Sequence, residues 1–156
     1  MEVLGKAFAV YVRPLLETFS QVWNPVKEKD SHDLERVQRR FTRQVFVQRG
    51  EKPPPYEERL ARMSLQPLQI RRLHLDLCLA HSIFHSEADS YLTPILPKAV
   101  SDSRLRPSNR VIYDPSAPGQ LKQLFRNRIA RKWNELPYEI SSLSFNAFKS
   151  HLKIDV

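Results

Sequence analysis

Four arginines within eight residues form the densest set of chemically capable side chains in the sequence. Arg36, Arg39, Arg40 and Arg43, in the run LERVQRRFTR at 34–43, fall within roughly a 100° arc when wound on a helix. No acid stands between Arg36 and Arg43 to neutralise them. Leu34, Val37, Phe41 and Val45 cluster about 150° away on the same wheel, so the segment reads as a helix with one packing face and one cationic face. Guanidinium groups spaced this way suit the tracking of phosphates along a nucleic-acid backbone. The same pattern also describes a solvated basic face that does no more than keep a helix soluble.

A second basic run goes from Lys122 through Arg126, Arg128 and Arg131 to Lys132. Arg128 falls inside the apolar arc of Leu121, Leu124, Phe125, Ile129, Trp133 and Leu136, which marks it as one half of a buried ion pair, with Asp76 as the expected partner. Trp133 lies on the same stripe and reads as core rather than as a platform for a base. His74, Cys78, His81 and His85 recur at i, i+4, i+7 and i+11. A straight helix cannot wrap four such ligands around one zinc, so they read as the polar stripe of an otherwise apolar helix. There is no Gly-rich phosphate loop, no nucleophile elbow and no pair of neighbouring aspartates for two-metal chemistry. The expected chain is therefore not an enzyme on its own, holds no cofactor and takes no small-molecule ligand.

The elements that must position these residues are helical. Apolar residues recur at helical spacing through Val3, Ala7, Val10, Leu15, Leu16 and Phe19, and Pro14 should restart the helix. Asp30, Ser31 and Asp33 are expected N-caps of the arginine-bearing helix, which runs to about Phe46 before Gly50 stops it. After Pro53, Pro54 and Pro55, a short helix is expected over Tyr56 to Met63 and a longer one from Pro67 to about Ser86. The longer one is apolar on two sides, which makes it central. Five prolines between Pro94 and Pro118 mark a stiff connection, in which Val111, Ile112 and Tyr113 can pair as an edge strand. Helices over 121–136 and 144–154 complete the chain. The expected fold is mainly α, a small helical bundle. It comprises a helical domain at 1–88, a Pro-rich connector at 89–120 and a C-terminal helical tail at 121–156 that packs on the first part.

Composition agrees with a polyanionic partner. The 156 residues include 25 Lys and Arg against 17 Asp and Glu, a net charge of +8, which suits nucleic acid or an anionic membrane surface without choosing between them. One cysteine, Cys78, cannot form an internal disulfide. With the early apolar stretch cut at Arg13 and Pro14, an intracellular, non-membrane setting is expected, nuclear or cytoplasmic.

Seven separated segments resemble the reverse transcriptases of non-LTR (LINE-type) retrotransposons, and they occur in the same order. They are YVRPLLE at 11–17, the Trp23 to Pro25 turn, LERVQRRFTR, Tyr56 with Arg59 and Leu60, RRLHLDL at 71–77, WNELP at 133–137, and Phe148 with Lys149. The resemblance covers nearly the whole chain and points to the region C-terminal to the polymerase palm. It implies a thumb-like bundle that grips an RNA/DNA template-primer duplex through Arg36, Arg39, Arg40 and Arg43, with Arg71 and Arg72 as weaker contributors. It also implies that the catalytic aspartates lie upstream of Met1, on a palm that would be the chain's partner in a full-length enzyme using Mg2+. A truncated or reannotated element copy is the expected origin. Gln69 departs from the pattern, since an acid is expected there, and a local ion pair should be lost. Two other readings stand beside this one. The chain is a non-functional or structural helical fragment with solubilising arginines, or it is a basic protein-interaction module, which would need an exposed apolar patch beside the charge.

Overall fold

A computed structural model describes residues 1–25, 27–86, 93–99, 109–114, 116, 118 and 124–154. Its elements in order are α1 (Glu2–Tyr11), α2 (Arg13–Glu17), α3 (Ser20–Trp23), α4 (Glu28–Gln48), α5 (Tyr56–Arg62), α6 (Leu68–Phe84), a 3-10 turn at Thr93–Ile95, α7 (Phe125–Asn134), α8 (Tyr138–Ser141) and α9 (Phe145–Ile154). The fold is mainly α. Among the described residues the only β pairing is an isolated antiparallel bridge between Lys98 and Val111, inside the Pro-rich stretch. The chain divides into two compact units, Met1–Leu73 and His74–Val156, with the boundary inside α6.

In the first unit, Phe8, Val45, Tyr56, Leu60, Met63 and Leu65 form the core, with Met1, Ala9, Val12, Leu16 and Phe41 packed against it. The Phe8 and Phe41 rings stack at 4.6 Å. The periodic stripe Val3, Ala7, Val10, Leu15 and Phe19 faces outward, and only Leu16 of that series is partly covered. Instead α1 packs through Gly5 and Phe8. A helix apolar on two sides gives a periodicity that does not say which side is buried. Gly5 decides it, because a Cβ at this position would overlap the Met63 carbonyl oxygen. Gly5→Ala should therefore lower the urea midpoint of unfolding, because overpacking costs about 1–3 kcal/mol against a helix-propensity gain of about 1. A raised midpoint would show that α1 does not approach Met63 this closely.

Helix α4 begins at Glu28, ahead of the expected caps, and no side chain caps it. Acids in a first turn complement the helix dipole without capping, and Glu28 and Asp30 occupy that turn. Asp33 lies inside the helix. Its C-terminus follows the expected stop. Gly50 takes φ 72°, its amide donates to the Val47 carbonyl (3.0 Å), and the Glu51 amide donates to that of Phe46 (3.0 Å), the paired bonds of a Schellman end. The buried positions of α4 are Glu35, Gln38, Thr42, Val45 and Phe46, whereas Val37, assigned to the packing face, is exposed. The reason is a buried polar network. Glu35 accepts from the Tyr56 hydroxyl and from the Leu68 amide (2.9 Å), which caps the start of α6. Gln38 donates to the Tyr56 oxygen (3.0 Å) and to the Gln66 carbonyl (2.9 Å). These bonds tie α4, α5 and the entry to α6 together, and they satisfy polar groups that would otherwise be costly to bury.

The second unit is built around the rest of α6, where Leu77, Ala80, Ile83 and Phe84 are buried, as are Leu96, Val111, Ile129, Ala130, Trp133, Phe148 and Leu152. Trp133 lies in this core, as its place on an apolar stripe requires, with Phe84 5.3 Å away. The Asp76 carboxylate accepts from Arg128 Nε at 2.9 Å, the ion pair expected from sequence. The Val111 segment is fastened from α7: the Trp133 indole donates to the Asn109 carbonyl (2.6 Å), and the Asn134 amide both accepts from the Val111 amide and donates to its carbonyl (3.0 Å each). The Trp and Asn of WNELP thus act as clamps on the connector. The expected helix over 121–136 is observed from Phe125 to Asn134, and 121–123 lie outside the described residues.

His81 and His85 also serve this unit. Their Nε2 atoms donate to the carbonyls of Leu143 and Ser141, each at 2.8 Å, and the His81 ring stacks on Phe148 at 4.5 Å. Burial, the largest cause, holds the His81 pKa below its usual 6.5, and the nearby His85 adds to this, while the bond to Leu143 opposes it. A folded-state pKa below the unfolded one means the unfolded chain binds more protons as pH falls, so the stability from His81 is full above about 6.5 and is lost as pH drops toward the lowered value. His81→Gln keeps a donor for Leu143 but does not titrate. Urea unfolding should show a smaller loss of stability between pH 7.5 and 5.5 for this variant than for the wild type. Parallel pH profiles would contradict the assignment.

Candidate functional site

The four arginines of α4 divide into two kinds. Arg36, Arg40 and Arg43 are exposed. Arg36 makes a loose ion pair with Asp33 at 3.5 Å, its side chain still largely in solvent, and surface pairs of this kind contribute little. Arg40 and Arg43 have no ion-pair partner among the described residues. Glu35, the acid adjacent in sequence, points into the core and is occupied by Tyr56 and Leu68, so it does not neutralise the outer face. Arg39 is half-buried, and its guanidinium lies over the Tyr56 ring at 4.0 Å.

Arg71 and Arg72 are placed differently from the α4 set. Arg71 holds Glu17 with two bonds, 2.6 and 3.2 Å long. The carboxylate that Arg71 binds is thus the last residue of YVRPLLE. Arg72 is 2% exposed and donates to Asn24 (3.0 Å) and to the Ser31 hydroxyl (2.8 Å). A side chain with its head buried has no surface to offer a phosphate. Both cations fasten α6 to the N-terminal elements within the first unit and stand apart from the exposed arginine face.

Arg59, on α5, was not among the expected binding residues. It is 9% exposed, donates from Nη1 to the Arg39 carbonyl (3.1 Å) and lies 5.4 Å from the Tyr56 ring centre. The available signal was its spacing, since Arg59 stands three residues after Tyr56 and next to Leu60, on the packing side of a short helix.

In the second basic run, Arg131 and Lys132 share Glu135, at 3.2 and 3.0 Å, Arg128 is bound to Asp76, and Lys122 lies outside the described residues. Of the two basic runs, that of α4 has the less internal neutralisation among the described residues. Among the described residues no group of three or more His, Cys, Asp or Glu side chains could hold a metal ion, and no helix is long and apolar enough to cross a membrane.

Polar contacts within the first unit join segments that are far apart in sequence: Glu17 with Arg71, Asn24 with Arg72, and Glu35 with Tyr56. No protein-family model, curated protein or solved structure matches this chain.

Proposed function

We propose that this chain is a nucleic-acid-binding module that grips an RNA/DNA template-primer duplex. In this reading it is the thumb and downstream region of an RNA-directed DNA polymerase of the non-LTR retrotransposon type, and the catalytic palm is a separate partner. The observation that carries the reading is the exposure of Arg36, Arg40 and Arg43 on one side of α4, with the neighbouring acid Glu35 turned inward. Three guanidinium groups on a rigid 21-residue helix present fixed positive charge to phosphates, and phosphate contacts position a duplex without reading its bases. The ordered set of seven segments supplies the polymerase part of the reading.

One observation favours a second reading, a protein-docking module. Val3, Val10, Tyr11, Leu15, Phe19 and Val22 are all exposed on α1 to α3, an apolar surface of the kind that marks interaction sites. Within the polymerase reading, the palm is the partner expected to cover it. Titration of the full chain with a labelled RNA/DNA hybrid and, separately, with polyglutamate distinguishes the two. Tight hybrid binding with weak polyglutamate binding supports the duplex grip, whereas equal or stronger binding of polyglutamate refutes it.

A further inference from the structure

We propose that Arg39, Arg43 and Arg59 form a seat for one phosphate oxyanion where α4 meets α5, beside the Tyr56 ring. The inference deepens the proposed function and rests on it for the natural occupant, a backbone phosphodiester of the bound hybrid. Two guanidinium groups lie by the same ring, Arg39 at 4.0 Å and Arg59 at 5.4 Å from its centre. The ring cannot swing away, because its hydroxyl is held by Glu35 and Gln38. Arg59 is fixed in turn by its bond to the Arg39 carbonyl.

The cluster has more donors than acceptors. Nε of Arg39 and Nε of Arg59 are both buried with no hydrogen-bond partner among the described residues. Neither side chain, nor Arg43, has a carboxylate within ion-pair distance among those residues. Burial first, and then the like charges of Arg39 and Arg43, push the Arg59 pKa below its usual value, with Tyr56 and the more weakly felt Glu57 opposing. Like charges gathered around a mostly buried guanidinium are unfavourable unless an anion joins them. A tetrahedral oxyanion suits such donors, since arginine forks bond phosphate oxygens in pairs. Access is from the outer side, where Arg43 is exposed and Arg39 is only half-covered.

The test is thermal unfolding of the full chain in inorganic phosphate against chloride at matched ionic strength, for wild type, Arg39→Gln, Arg59→Met and the control Arg131→Ala. At ten times the half-saturating phosphate concentration, wild type and control should melt about 3–6 °C higher than in chloride. The rise should saturate, and both site variants should lose it. Arg39→Gln decides the matter if Arg59→Met fails to fold. No difference between phosphate and chloride, or an undiminished rise in Arg39→Gln, overturns the seat. Hybrid titration separates the two ideas. Hybrid binding without a phosphate-specific rise removes the seat and leaves the duplex grip standing. A saturable rise without hybrid binding keeps the seat for free phosphate and removes the polymerase reading.

Discussion

Arg128→Ala should destabilise the protein by about 3–5 kcal/mol, a fall in melting temperature of about 6–20 °C for a chain of this size. The Asp76 side chain is 3% exposed and that of Arg128 is 15% exposed, and they meet at 2.9 Å. Removing the guanidinium takes the Arg128 bond from a buried carboxylate, and part of the desolvation cost already incurred is then uncompensated. An exposed arginine such as Arg126 should cost under about 1 kcal/mol by the same substitution. The pair is tested as a pair by Asp76→Leu/Arg128→Met, which replaces both charges with apolar groups of similar bulk. This double variant should recover much of the loss, because a buried ion pair is often no better than a well-packed apolar one. Thermal and urea unfolding of the three variants check this. An unchanged melting temperature for Arg128→Ala would mean that the side chain is solvated in solution.

That ion pair was legible in the sequence because Arg128 interrupts an apolar arc, and a charge in such a place needs an opposite one. The stop at Gly50 and the burial of Trp133 were legible for similar reasons: a left-handed glycine and a tryptophan on an apolar stripe. The orientation of α4 was only partly legible. Binary patterning puts Val37 inside and Glu35 and Gln38 outside, whereas the helix is turned so that these two polar residues meet Tyr56 and Leu68. Nothing local signals this, because the partners lie 18 to 33 residues away in sequence. The same holds for Arg71 and Arg72. The acid near these two in sequence is Asp76, yet the groups that draw them inward are Glu17 and Asn24, 54 and 48 residues distant. Arg59 has Glu57 and Glu58 beside it in sequence, which reads as neutralisation, whereas Glu58 is bonded to Arg62.

The central claim is that the exposed arginines of α4 neutralise phosphates, and its most direct test is the salt dependence of hybrid binding. With Arg36, Arg40 and the seat shared by Arg39 and Arg43 each neutralising one phosphate, the logarithm of affinity should fall with the logarithm of salt at a slope of roughly −2.1 to −2.7. Between 50 and 200 mM salt, the affinity should drop about 20- to 40-fold. The triple variant Arg36→Ala/Arg40→Ala/Arg43→Ala keeps only the Arg39 contact, so its affinity should fall only about threefold over the same range. Its fold should persist, because the three side chains are exposed, alanine is a good helix former, and the network of Glu35, Gln38 and Tyr56 is untouched. Little dependence on the hybrid's sequence is expected, since backbone contacts carry no base information. The measurement is a titration of labelled RNA/DNA hybrid at several salt concentrations, with wild type and triple variant side by side. A steep slope for the wild type and a shallow one for the variant is the result this account predicts. Equal affinities and equal slopes would contradict it and leave the basic face of α4 as a solubilising surface.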